Sequence, residues 1–162
     1  MTSGMKFGFI NGIIDMLALL VGLFATKVSK VGMIGAVVAM MISNPINDSY
    51  SLYISAEKEK ESESRQKATH ALVTQILTHA SFLLIIILSP NPAIAIKISI
   101  IYSLIIILAF DKYFNIEFIE TFKKIGIILF LIIVTYFADE KVYEYFPDAR
   151  KASGCYNTRF KH

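Results

Sequence analysis

The sequence predicts an all-α integral membrane protein, a bundle of five transmembrane helices with the second helix kinked at Pro45. Hydrophobic residues make up 55% of the 162 residues, and the mean hydropathy is +0.58. The apolar residues also form long blocks, whereas a soluble core would scatter them along the chain. A block of roughly 20 such residues is enough to cross a hydrocarbon core about 30 Å thick. We therefore expect one transmembrane domain over residues 1–162.

Five apolar blocks define the predicted spans. The first block carries Asn11 and Asp15 in its middle and lacks a small-residue cleavage site, which favours a retained span over a signal peptide. Prolines and an asparagine between the third and fourth blocks predict a tight connection. The fifth block is slightly short. The spans are expected at about 7–26, 31–54, 71–89, 92–110 and 125–137.

Polar segments join and follow these blocks. A charged connector is expected at 55–69 and a polar tail at 139–162, and residues 111–124 form either a short interfacial piece or an ordinary loop. Lysine and arginine residues are concentrated at the N-terminus, in the connector and before the fifth span, which predicts that the N-terminus and the connector are cytoplasmic. Basic residues of the tail lie on the other face and oppose this orientation.

Small residues recur on the first span. Gly4, Gly8 and Gly12 are four residues apart, so one helix face has no side chains and another helix can approach it closely. We predict that a homodimer forms through this face. The single cysteine, Cys155, lies in the tail and excludes both an internal disulfide and a thiolate metal cluster within one chain.

Polar side chains interrupt the first span in a helical pattern. Asn11 and Asp15 are four residues apart and therefore lie on one helix face, one turn from each other. A carboxylate at membrane depth costs several kcal/mol and usually marks an ion or proton pathway. The alternative is that Asp15 lies nearer the interface or bonds a neighbouring helix, and that Asn11 only holds helices together.

The second span contains a proline among polar residues. Pro45 has no N–H group, so the carbonyl of Met41 loses its helical partner and a kink is expected. Asn44 and Asp48 share a helix face, and Asn47 lies beside it. Interrupted helices of this kind form ion sites in many transporters. The alternative is a kink whose polar residues bond across helices.

The two spans together offer oxygen ligands. Carboxylate, amide and carbonyl oxygens suit a hard divalent cation better than a soft one. We expect a transported cation and no tightly bound cofactor. The candidate metal ligands are Asp15, Asp48, Asn11, Asn44, Asn47 and Met41.

The third span begins with polar residues, and His70, Thr74, Gln75 and His79 are candidates for lining the same cavity or relaying a proton. His70 at the water interface and His79 in an interhelix hydrogen bond are the alternatives. Before this span, Glu57 and Glu61 are candidates for attracting cations. The competing interpretation makes the glutamates of this segment partners in helix-stabilising pairs with basic residues.

The residues of the first two spans resemble the vacuolar iron transporter family. Asn11-Gly12-Ile13-Ile14, followed by the run from Leu17 to Leu23, is similar to the first-helix signature of that family, and 43–57 is similar to its second helix. Five spans with an acidic loop after the second also match. Because only about a dozen residues separate the second span from the third, where other members of the family carry a metal-binding domain, the chain looks like the short, nodulin-like branch. The resemblance implies a divalent metal transporter of the iron or manganese type. We expect proton-coupled exchange through a site between the first two spans, because metal ligands must be deprotonated to bind.

Other classes of protein fit the sequence less well. The chain has no Gly-x-Ser-x-Gly elbow, no glycine-rich phosphate loop and no run of histidines for a di-metal site, so we do not expect an enzyme. No basic stripe with interleaved aromatic residues suggests nucleic acid as a partner. A non-transporting membrane scaffold remains the alternative, with polar residues that only pack helices.

Overall fold

The chain forms five α-helices in a computed structural model that describes residues 3–55, 60–114 and 116–145. All regular secondary structure in this part of the chain is helical. The helices are α1 (Ser3–Ala25), α2 (Lys30–Ser55), α3 (Glu61–Leu88), α4 (Pro92–Tyr113) and α5 (Phe118–Tyr145).

Four of these helices, α1 to α4, are long and apolar enough to cross a membrane by length and composition. Large apolar side chains also lie on their outer surfaces: Leu77 is 65% exposed, Leu88 74% and Ile101 58%. Monomeric soluble proteins rarely expose apolar patches that extend along several helices. The architecture is therefore compatible with a multi-pass membrane protein.

The predicted fifth span, 125–137, lies inside α5, which is not one of these four helices. Lys124 and Asp139 bound its apolar run, which is 14 residues long. At about 1.5 Å per residue, such a run covers only about 21 Å. The described part of the chain thus gives four helices of spanning character where the sequence predicted five.

The helices extend beyond the predicted spans. α3 begins at Glu61, ten residues before the predicted span, so most of the expected connector is helical. Glu61 and Glu63 occupy its first turn, where negative charge is favourable to the helix dipole. Similarly, α4 and α5 reach into 111–124 and leave only a short connection, and α5 includes the first residues of the expected tail.

The second span is helical through Pro45, and the kink expected there stays a prediction. α2 is one continuous helix from Lys30 to Ser55 with Pro45 buried inside it. The missing N–H of Pro45 removes one helical hydrogen bond, and the helix continues on both sides of that position. The polar residues of α2 therefore lie on one continuous helix.

α1 is the central helix of the bundle, since it contacts each of the other four. α3 packs against both α1 and α2, and α5 contacts α1 and α4. Aromatic rings join α4 to its neighbours: Phe9 stacks on Phe110 with centroids 4.0 Å apart, and Phe82 meets Tyr102 edge-on at 5.5 Å. The buried apolar core draws on all five helices and includes Ile13, Met16, Leu17, Leu20, Met33, Val37, Phe82, Ile86, Ala95, Ile96, Ile107 and Ile128.

The glycine face of α1 packs against α3. A Cβ atom on Gly4 would collide with the backbone carbonyl of Lys67, and one on Gly8 with that of Ala71. At Gly12 a Cβ atom would lie 3.1 Å from the Cβ of Thr78. As the contacts move toward the C-terminus of α1, they also move toward the C-terminus of α3, so the two helices run parallel. The face predicted to form a homodimer is thus occupied within the chain, and the prediction of that interface was wrong; dimerisation itself stays a prediction.

Polar contacts fix the helix ends. Lys30, at the start of α2, donates from Nζ to the carbonyl oxygens of Ile87 and Ser89 at 2.9 and 2.6 Å, and so caps the end of α3. The Asn91 side chain accepts the Ile94 N–H at 2.9 Å and caps α4, which begins with Pro92. The predicted tight connection between these antiparallel helices is confirmed.

Gly8→Ala should destabilise the protein although alanine favours helices by about 1 kcal/mol over glycine. The added methyl group forces α1 away from Ala71, and overpacking of this kind costs about 1–3 kcal/mol. The melting temperature in detergent should fall. Gly35→Ala is the matched control, because a Cβ atom there has nothing within 4 Å and should leave the melting temperature unchanged or raise it. Equal behaviour of the two variants would contradict the packing.

Candidate functional site

Two carboxylates from different helices meet inside the bundle. Gln75 of α3 donates from Nε2 to Oδ2 of Asp48 on α2 at 2.7 Å and to Oδ2 of Asp15 on α1 at 3.1 Å. Asn11 also bridges them, with Nδ2 at 2.5 Å from Oδ2 of Asp48 and at 3.4 Å from Oδ2 of Asp15. The two carboxylate oxygens therefore lie within two hydrogen-bond lengths of each other.

A third amide completes the group. Asn44 of α2 donates from Nδ2 to Oδ2 of Asp15 at 3.2 Å. Both predicted pairs thus lie on the inner faces of their helices, because positions four apart in a helix share a face. We call Asn11, Asp15, Asn44, Asp48 and Gln75 the amide–carboxylate cluster. It joins α1, α2 and α3.

Electrostatics make the cluster attractive to cations. Two negative charges about 6 Å apart repel each other by roughly 3 kcal/mol at an effective dielectric constant of ~20. The amide N–H groups offset part of this repulsion, since hydrogen bonds to charged groups contribute about 1.5–3 kcal/mol each. Their partial charges do not neutralise two carboxylates. A cation or a proton at this position would be stabilised.

Buried polar atoms without partners lie beside the cluster. Gln75 and His79 are both 0% exposed, and Oε1 of Gln75 and both ring nitrogens of His79 have no hydrogen-bond partner among the described residues. These two residues are one turn apart on α3. A Cβ atom on Gly12 of α1 would meet both Thr78 and Gln75, so His79, which follows Thr78 directly, lies on the part of α3 that packs near α1. An unpaired buried polar atom costs about 1–3 kcal/mol. Such atoms beside two carboxylates can serve as further metal ligands or as proton acceptors.

Several predicted site residues lie outside the cluster. Asn47 is exposed on α2. Met41 is half-buried there and is not among the bonded partners of either carboxylate. Thr74 donates its hydroxyl to the carbonyl of His70 at 2.7 Å, within its own helix, so this hydroxyl is not available to the carboxylates. The structure thus brings together Asp15, Asp48, Asn11, Asn44 and Gln75. Asn47 is exposed outside this group, and the roles expected of Met41, His70 and Thr74 stay predictions.

Of the two glutamates predicted to attract cations, Glu61 lies in the described part of the chain. Glu61 is exposed and lines a groove of about 420 Å³ between α2 and α3, together with Tyr50, Tyr53 and Arg65. Glu57 lies outside the described residues. Glu61 therefore faces an open surface, separate from the cluster.

A hard cation in this cluster would need both carboxylate and amide oxygens as its ligands. Within residues 3–55, 60–114 and 116–145, no group of three or more His, Cys, Asp or Glu side chains is placed to hold a metal ion. The cluster instead offers two carboxylates and three side-chain amides. Carboxylate and amide oxygens are ligands that Ca²⁺ and Mg²⁺ accept, so a transported divalent cation is compatible with these residues if amide oxygens contribute.

A second polar group was missed by the sequence analysis. Asp111, at the end of α4, is 2% exposed. Its carboxylate accepts the Thr121 hydroxyl at 2.7 Å and forms a salt bridge with Lys124 at 2.7 Å, both on α5. The only signal was an acidic residue directly after an apolar run, and its partners lie beyond the connection, ten and thirteen residues away.

The fold and the cluster define a helical bundle with four helices of membrane-spanning character and a carboxylate pair in its interior. No protein-family model, curated protein or solved structure matches this chain. The likeness to the vacuolar iron transporter family therefore stays a resemblance of short motifs.

Asn44→Ala and Asn47→Ala form a matched pair that tests the cluster. Asn44 supplies a hydrogen bond to a buried carboxylate, so its loss should reduce stability by about 1–2 kcal/mol. The exposed Asn47 should change stability by less than about 0.5 kcal/mol. Thermal unfolding in detergent measures both. A larger effect at Asn47 than at Asn44 would contradict the described arrangement.

Proposed function

We propose that this protein is a multi-pass membrane transporter that carries a divalent metal cation through the amide–carboxylate cluster. One observation supports the proposal above the others: Asp15 and Asp48, from separate apolar helices, converge on the same amide groups. Carboxylates at membrane depth are expensive, and their usual role is in an ion or proton pathway.

The charge of the site favours a divalent cation. Two carboxylates balance one divalent ion, and the amides of Asn11, Asn44 and Gln75 add neutral donors around it. The resemblance to the vacuolar iron transporter family favours Fe²⁺ or Mn²⁺ among the possible ions. A transported ion must also leave, and a site that is rich in neutral amides binds it less tightly than a cage of carboxylates.

Proton exchange follows from the same carboxylates. Metal ligands must be deprotonated to bind, so the release of a cation and the uptake of a proton are linked at Asp15 and Asp48. His79 supports this coupling, since its imidazole is buried beside the cluster with both nitrogens unpaired among the described residues. A histidine in that position can pass a proton to or from a carboxylate.

Asp15→Asn and Asp48→Asn should each reduce Mn²⁺ and Fe²⁺ uptake into proteoliposomes at least about tenfold, which corresponds to ~1.4 kcal/mol of lost binding. Each change removes one charge from the site and preserves the shape of the side chain. Glu120→Gln, at an exposed carboxylate on α5, is the control and should transport normally.

Unchanged uptake in both aspartate variants would overturn the transport proposal. The wild-type protein could instead fold and move no metal, while either aspartate change lowers its stability. In that case the cluster would serve only to pack the helices. That result would establish the scaffold alternative.

Mn²⁺ entry should raise the pH inside the vesicles, because each entering cation displaces protons from the carboxylates in the opposite direction. Trapped pyranine reports this change when the membrane potential is clamped with K⁺ and valinomycin. Asp48→Asn should abolish the response and Glu120→Gln should retain it. Mn²⁺ entry without a pyranine signal would contradict proton exchange and leave cation transport standing.

A further inference from the structure

Gln75 occupies the position that a bridging cation would need. Its Nε2 lies 2.7 Å from Oδ2 of Asp48 and 3.1 Å from Oδ2 of Asp15, between the two negative groups. An N–H group is the only part of a carboxamide that can face two carboxylate oxygens, because the amide oxygen is an acceptor. The orientation of this side chain is thus set by the charges on either side of it.

The other end of the same carboxamide is free. Oε1 of Gln75 is buried and has no hydrogen-bond partner among the described residues. No bond on the oxygen side therefore opposes a rotation about the terminal torsion, which is broad and roughly two-fold in glutamine. Half a turn would exchange Nε2 and Oε1 while the side chain keeps its place on α3.

We propose that the carboxamide of Gln75 reverses when a divalent cation enters between Asp15 and Asp48, and that its oxygen then becomes a ligand of that cation. This inference rests on the proposed function and adds a ligand from a third helix. The reversal removes an N–H group, which repels a cation, and puts in its place an oxygen, which hard divalent ions accept as a ligand. It also explains how a site with two carboxylates acquires further oxygen ligands.

The neighbouring histidine does not hold the oxygen end of this carboxamide. His79 lies one turn further along α3, and neither of its ring nitrogens has a partner among the described residues. A neutral imidazole has one acceptor nitrogen. After reversal, Nε2 of Gln75 points away from the carboxylates and takes the buried position that Oε1 has now.

The chain offers a direct measurement of this ligand. Gln66 and Gln75 are its two glutamines, and Gln66 is exposed at the start of α3. Full-length protein labelled with ¹³C at the glutamine side-chain carbonyl is loaded with Mn²⁺, and pulsed ENDOR measures the coupling to that carbon. A ligating amide places the carbon two bonds from Mn²⁺ and gives a strong coupling. The Gln66→Leu protein should retain the coupling and the Gln75→Leu protein should lose it.

Affinity provides the second measurement, from the loss of the free Mn²⁺ EPR signal. Gln75→Leu should weaken Mn²⁺ binding at least tenfold, and Gln66→Leu should not change it. Gln75→Glu retains an oxygen ligand and lacks the donor, so it should bind Mn²⁺ at least as tightly as the wild type. The labelled wild-type protein keeps the test valid even if a Gln75 variant fails to fold.

The outcomes separate the two proposals. If Mn²⁺ binds the wild type and is lost in Asp48→Asn, but the strong ¹³C coupling is absent or survives Gln75→Leu, Gln75 is no ligand and the inference is overturned while the cation site stands. If the wild-type protein binds no Mn²⁺ and transports none, the proposed function fails, and the reversal fails with it.

Discussion

The close approach of α1 and α3 is the constraint on which the rest of the structure depends. Gly4 and Gly8 leave room for backbone carbonyls of α3, and a side chain at either position would force the helices apart. That approach brings Gln75 within reach of Asp15 on one side and Asp48 on the other. In lipid, helices gain little from apolar contact alone, so small residues and interhelical hydrogen bonds decide which helices associate. Here small residues and interhelical hydrogen bonds both join the same helix pair, α1 and α3.

The cluster contains a conflict that a purely structural element would avoid. Two carboxylates placed together in a helix bundle repel each other and lose hydration, and amide donors recover only part of that cost. Replacement of Asp15 and Asp48 by apolar residues would remove the repulsion, together with the interhelical hydrogen bonds that the amides donate to them. Sites that retain such a cost are characteristic of function, because strained or costly arrangements persist where activity requires them.

Sequence periodicity was enough to predict the helical class, the chain positions of four membrane-length helices and the inward faces of Asn11, Asp15, Asn44 and Asp48. It could not show that Gln75 bridges both carboxylates, because that depends on the register of α3 against α1. The partner of the glycine face was mistaken for a second subunit for the same reason: a small-residue face does not identify what covers it. Pro45 removes one helical hydrogen bond, and α2 remains continuous because its neighbouring bonds persist.

The salt bridge at the end of α4 has a consequence for how the last helix is positioned. Thr121 and Lys124 are three residues apart on α5 and reach the two oxygens of one carboxylate, Asp111. A rotation of α5 by a single residue, about 100°, would carry both donors away from that carboxylate. Asp111 therefore sets the azimuth of α5 around its own axis, and the length of the connecting peptide does not. Evolution could lengthen that connection without disturbing the bundle, whereas a single-residue insertion between Thr121 and Lys124 would put the two donors out of phase.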